Sequence, residues 1–245
     1  YTTVDLEMQE YVESRYQDMN NLLAGMATVN NTAHWRDLNG DGVTSEDEAQ
    51  FLQSGFCAIN YSGEILATVG AIGEKTASLC TSYAYEPQQP GSTIKPVTTY
   101  GYALSTDYIH WGTPLRDYPP IKNPATGKLW PTNYSSGGGM SYTGSMKNVY
   151  YALQKSYNTI PALLCKELGR IEIYNFATNN LGLELVQNDQ DYAPLSVGAL
   201  TYGVSITNLV NAYMVYGNGG YYSKAHIISN CLLYTSPSPR DTERS

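Results

Sequence analysis

The chain has 245 residues, 42% of them apolar and only 15% charged, which excludes an intrinsically disordered polypeptide and suits one large domain or two small ones. A net charge of −8 and a pI near 4.8 leave nothing to neutralise a run of phosphates, so a nucleic-acid binder is excluded. No run of about 18 apolar residues occurs that would span a bilayer. Histidine is scarce (His34, His110, His226), which disfavours a His-rich zinc site or a Ser-His-Asp triad. The four cysteines, Cys57, Cys80, Cys165 and Cys231, share no CxxC or metal spacing and read as small core residues.

In chain order, Asp5 caps a helix whose apolar residues recur every three to four positions to about Leu23. Phe56–Asn60 and Glu64–Ala71 are β-rich runs around Tyr61-Ser62-Gly63 and predict a hairpin. Both runs are apolar at nearly every position, so the hairpin should be covered on both faces and gain strands from elsewhere. Helices are expected over Ser92–Leu104, Ser145–Lys155, Thr159–Leu168, Ile171–Asn180 and Ser205–Tyr216, with a long Pro/Gly/Asn-rich loop over Gly112–Gly139. A hairpin followed by a helical block predicts an α+β fold.

Between the first helix and the hairpin lies an acidic run, Asp37 to Glu48, that fits D-x-[DN]-x-[DN]-G-x5-E. Asp37, Asn39, Asp41 and Glu48 would supply side-chain oxygens, Val43 a carbonyl and Ser45 a direct or water-bridged contact, with Gly42 at the sharp turn. The run resembles EF-hand and dockerin loops and marks residues 30–53 as a calcium-loop-like insert. Thr44 stands where an aliphatic residue usually packs, and the loop has no second copy to pair with. An acidic surface turn is the alternative.

The most informative stretch is Gln88-Gln89-Pro90-Gly91-Ser92-Thr93-Ile94-Lys95-Pro96. Ser92 and Lys95 are three residues apart on an expected helix, so the amine can reach the hydroxyl. A serine hydroxyl needs a base to become a nucleophile, and a lysine serves only if its surroundings lower its pKa. Downstream, Ser156-Tyr157-Asn158 offers a hydroxyl that can relay a proton and an amide that can hold Lys95 and a substrate carbonyl. Each motif alone is weak. The plain alternatives are an N-capping serine with a solvated lysine, and an ordinary inter-helix loop.

Taken together the motifs resemble the Ser-x-x-Lys and Ser-x-Asn set of penicillin-binding proteins. Thr2–Gln9, Ala58–Gly70, Gln89–Ser92, Trp130–Tyr134, Ala152–Thr159 and Ala212–Gly220 are similar, in that order, to the transpeptidase domain of class A (bifunctional) members. The resemblance covers most of residues 1–230. It implies a serine β-lactamase/DD-peptidase-like fold, here with an incomplete sheet and a helical subdomain, and peptidoglycan DD-transpeptidase activity that needs no cofactor. It implies Ser92 as nucleophile on a D-Ala-D-Ala stem peptide, Lys95 as general base, Ser156 as relay and Asn158 as substrate binder. The Ser92 N–H would form half of an oxyanion hole, and β-lactams would trap Ser92. The expected place is the extracytoplasmic face of a bacterial plasma membrane, with any anchor and glycosyltransferase domain upstream of Tyr1.

The chain departs from the family in one respect: it contains no Lys-Thr-Gly or Lys-Ser-Gly. Residues 231–245, from Cys231 through Ser236-Pro237-Ser238-Pro239, resemble one reading frame of a sequencing transposase adapter. The native protein is therefore expected to continue differently past Asn230, and the chain as given to be inactive. A second reading is a calcium-dependent extracellular binding module with a vestigial serine–lysine pair.

Overall fold

The computed structural model describes residues 1–17, 22, 34–35, 49–50, 53–75, 78–123, 126–134 and 141–229. The first helix, α1 (Leu6–Arg15), starts where Asp5 accepts a hydrogen bond from Met8 N, and Tyr16 caps its end. It is shorter than the periodicity suggested. Two two-residue strands, β1 (His34–Trp35) and β2 (Ala49–Gln50), pair antiparallel. The acidic run Asp37–Glu48, with the proposed calcium ligands Asp37, Asn39, Asp41, Val43, Ser45 and Glu48, lies between them and outside the described residues, as does the tail 231–245.

The predicted hairpin is present as β3 (Phe56–Ile59) and β4 (Ile65–Val69), antiparallel with a register shift at Ala58/Ile59. Burial alternates along β4, with Ile65 and Ala67 inward, so the apolar run did not mean equal cover on both faces. The expected extra strands are not found among the described residues, where this sheet has two. Other groups serve the outer edge of β4. The Gln9 side chain accepts from Thr68 N at 2.9 Å and donates to Thr68 O at 3.0 Å, imitating a strand neighbour. Asp5 N donates to Leu66 O, and Ile65 N to His226 O. Helix α1 thereby docks on the hairpin through backbone groups that an edge strand would otherwise leave open.

Past Gly91 the chain is mainly helical, as expected, but the helix from Ser92 is not continuous. Gly91–Val97 is a 3₁₀ segment, followed after Thr98 by α2 (Thr99–Ser105). Pro96 is the cause: it has no N–H for the ladder and disfavours the α conformation at Lys95. The loop to residue 134 carries short strands, β5 (Pro114–Arg116), β6 (Ile121–Lys122) and β7 (Leu129–Trp130). Strand β8 (Met146–Asn148) pairs with β5 and displaces the first turn expected for the helix at Ser145. Helices α3 (Val149–Gln154), α4 (Thr159–Leu168) and α5 (Arg170–Asn175) follow, the last running into a π turn over Phe176–Asn180. Helix α6 (Tyr192–Val197) was not anticipated, and α7 (Ile206–Tyr213) begins at its Ser205 cap.

The core has two main parts that meet at the 3₁₀ segment. Ile94 and Val97 point into one, with Ala177, Leu181, Leu183, Leu200, Val204 and Ala212. Tyr100 and Ala103 of α2 point into the other, with Ile109, Val149, Ala152, Ile160 and Leu164. The segment bearing Ser92 is thus anchored by the burial of Ile94 and Val97, while Ser92 and Thr93 stay exposed. Cys57 and Cys165 are buried core residues as read from the sequence; Cys80 is exposed, and no disulfide joins the three.

Candidate active site

Ser92 lies in the first turn of the 3₁₀ segment and is exposed. The N-cap is Pro90, not Ser92, so the N-capping-serine alternative does not hold. In a 3₁₀ helix residues three apart eclipse, so Ser92 and Lys95 share one face. Lys95 is 1% exposed, which removes the solvated-lysine alternative. Burial lowers its pKa from 10.5 to about 8.

The Lys95 amine is held by four oxygens of the Ser-x-Asn loop. Nζ donates to Ser156 O at 3.0 Å, Tyr157 O at 3.1 Å and Asn158 Oδ1 at 2.7 Å, and lies 3.3 Å from Ser156 Oγ. No hydrogen bond joins it directly to the Ser92 hydroxyl. The two motifs, 61 to 63 residues apart in sequence, therefore converge on one amine.

The loop's shape follows from how α3 ends. Ser156 N donates to Leu153 O and Tyr157 N to Ala152 O, the paired bonds of a Schellman motif. Ser156 takes the left-handed position, φ +52°, where glycine is usual. Holding a serine there costs on the order of 1 kcal/mol and turns the carbonyls of residues 156 and 157 toward the amine. Asn158 is oriented from its far side: Nδ2 donates to Thr132 O at 2.9 Å, which leaves Oδ1 for Lys95.

The approach to Ser92 is equally fixed. The Gln89 side chain pairs with Leu200, donating to its carbonyl at 2.7 Å and accepting from its N–H at 2.9 Å. Gly198 (φ +77°) closes α6 so near Gly91 that a Cβ there would lie 2.1 Å from Gly91 O. Pro96 leaves Thr93 O without its 3₁₀ donor, and Tyr213 Oη supplies one at 2.5 Å. Tyr216 Oη does the same for Pro96 O.

All four catalytic candidates (Ser92, Lys95, Ser156 and Asn158) thus fall in one place. Sequence reasoning missed the residues beneath them: Asp117, Asn133 and Thr159. Asn133 and Thr159 lay within segments that carried the family resemblance but were given no role, and Asp117 is the one aspartate of the stretch read as loop. Among the described residues no group of His, Cys, Asp or Glu is arranged to hold a metal ion. Two clefts lie away from the site, one of about 640 Å³ beside Gln53 and Ser82 and one of about 510 Å³ at Trp111 and Tyr150.

An exposed serine stands one turn from a buried lysine, itself bound by a Ser-x-Asn loop, on an α+β scaffold. The penicillin-binding protein transpeptidase domain model matches residues 56–243, and the chain belongs to that family. Penicillin-binding protein 1A of Clostridium botulinum is 26% identical over 243 residues, spanning 95% of this chain and 26% of that protein. Penicillin-binding protein 1A/1B of Bacillus subtilis is 32% identical over 173 residues, 66% of this chain and 17% of that one. The fold is shared with PonA1 of Mycobacterium tuberculosis, at 18% identity and a TM-score of 0.63, over 93% of this chain and 52% of that one. The chain spans about a quarter of the length of the curated relatives it matches.

Proposed function

We propose that the protein carrying this chain is a peptidoglycan DD-transpeptidase working through an acyl-serine intermediate. The observation that carries the reading is the Lys95 amine, buried and bound by Ser156, Tyr157 and Asn158 one 3₁₀ turn from Ser92. Its lowered pKa leaves a fraction neutral near pH 7. Ser92 Oγ attacks the carbonyl of the penultimate D-Ala of a stem peptide, and its proton passes to Lys95. The tetrahedral intermediate collapses as Ser156 Oγ hands a proton from Lys95 to the leaving amine, the C–N bond breaks and D-Ala departs. An amine of a second stem then attacks the ester, forming the crosslink and returning the proton to Ser92. The Asn158 amide, with one Nδ2 proton left after Thr132, is positioned to bind the substrate peptide.

β-Lactams acylate the same serine in this reading; a solved PonA1 structure holds penicillin V. The likeness to class A, 1A-type relatives supports a glycan-polymerising domain elsewhere in the same protein and a place outside the cytoplasmic membrane. No described helix is long and apolar enough to cross a membrane. The calcium-module reading gains no support from the comparisons. A fluorescent penicillin tests the assignment, using a protein that joins this chain to a Lys-Thr-Gly strand. Wild type should label covalently and Ser92→Ala should not; equal labelling of the two sinks it.

A further inference from the structure

Beneath the Ser-x-Asn loop lies a buried polar ring that proton transfer does not use. The Asp117 carboxylate is fully buried, 0% exposed, and has no ion-pair partner among the described residues. Four donors converge on it. Asn133 Nδ2 and Thr159 Oγ1 each lie 2.7 Å from Oδ1, while Thr143 N at 2.7 Å and Thr143 Oγ1 at 2.9 Å serve Oδ2. Burial pushes its pKa up, but these bonds outweigh burial and hold it below the ordinary carboxylate value. The group is therefore an anion that can only accept.

That constraint propagates. With Nδ2 committed to Asp117, the Asn133 amide must turn its oxygen the other way. There Oδ1 accepts from Asn158 N at 2.8 Å and from Thr159 N at 3.2 Å. These bonds fix the backbone at the start of α4, from which the Asn158 side chain reaches Lys95. A neutral amide at 117 would satisfy only half of its donors, and would let Asn133 flip and present N–H to the N–H groups of Asn158 and Thr159.

We propose that Asp117 is a positioning residue: through Asn133 it sets the direction of a relay of hydrogen bonds that ends on the Lys95 amine. This rests on the transpeptidase reading for its purpose, though not for its geometry.

Exchanging the two side chains tests the relay. Asp117→Asn alone breaks its direction. Asp117→Asn combined with Asn133→Asp restores it, because Asn at 117 can accept from Thr143 and donate to the carboxylate at 133. That carboxylate can in turn accept from Asn158 N and Thr159 N. Two readouts apply. The first is solvent exchange of the Asn158 side-chain amide by NMR in this chain, which needs no activity. The second is the rate of β-lactam acylation in the protein that carries a Lys-Thr-Gly strand.

We expect the single variant to lose slow amide exchange and to acylate roughly 10- to 100-fold more slowly. The exchanged pair should recover both to within about threefold. A single variant indistinguishable from wild type overturns the proposal. So does a pair that is no better than the single, or one that does not fold. A wild type that never acylates removes the enzymatic reading, while amide exchange still decides whether Asp117 orients the loop. If Asp117→Asn alone does not fold, the pair compared with wild type decides.

Discussion

At the scale of residues, the chemistry depends on one amine kept out of water. The burial that lowers Lys95 from 10.5 to about 8 corresponds to about 3 kcal/mol of penalty on the charged form. In the sign of that linkage, the unfolded chain holds more protons than the folded one between these two values, so folding stability rises with pH across that window. Lys95→Met should flatten this rise in a series of chemical denaturations. Acylation should follow the neutral amine, increasing tenfold per pH unit below about 8 and levelling above it. A flat profile from pH 6 to 9, followed by stopped-flow acylation of the longer protein, would contradict the assignment of Lys95 as base.

At the scale of elements, Pro96 makes the site. It breaks the expected helix, tightens the turn to three residues and so stacks Ser92 and Lys95 on one face. The backbone acceptor it orphans is served by Tyr213. Tyr213→Phe should cost about 1 kcal/mol in urea unfolding. The cost should shrink by about half in a Pro96→Ala background, where a restored N–H can reach Thr93 O. The motifs, each weak alone, pointed to Ser92, Lys95, Ser156 and Asn158 through the family resemblance they carry together. They could not give the Schellman turn at Ser156, where serine stands in glycine's usual place. Strand β8 was hidden for a related reason: its partner β5 lies some thirty residues earlier, and three-residue strands carry no periodicity. Helix α6 escaped because it is six residues long and contains Pro194.

At the scale of the whole molecule, the α+β order was legible from the hairpin and the helical block, and Asn158 was expected at Lys95, whereas the gathering of 117, 133 and 159 beneath them was not. Those contacts join residues 16 to 42 positions apart, beyond any local pattern. The chain contains no Lys-Thr-Gly or Lys-Ser-Gly, the third motif that the resemblance leads one to expect. We therefore expect this chain alone to remain unlabelled by fluorescent penicillin on a denaturing gel, with labelling appearing once that strand is supplied. Robust Ser92-dependent labelling of residues 1–230 would refute this. The latch at Tyr213 sets a further bound. Burial raises that phenol to about 12, well above the amine at about 8. Over the alkaline range between them the base is fully discharged while the hydroxyl still donates to the turn it closes. Loss of turnover in strong alkali should therefore report the loosening of that turn, with the base itself long since ready.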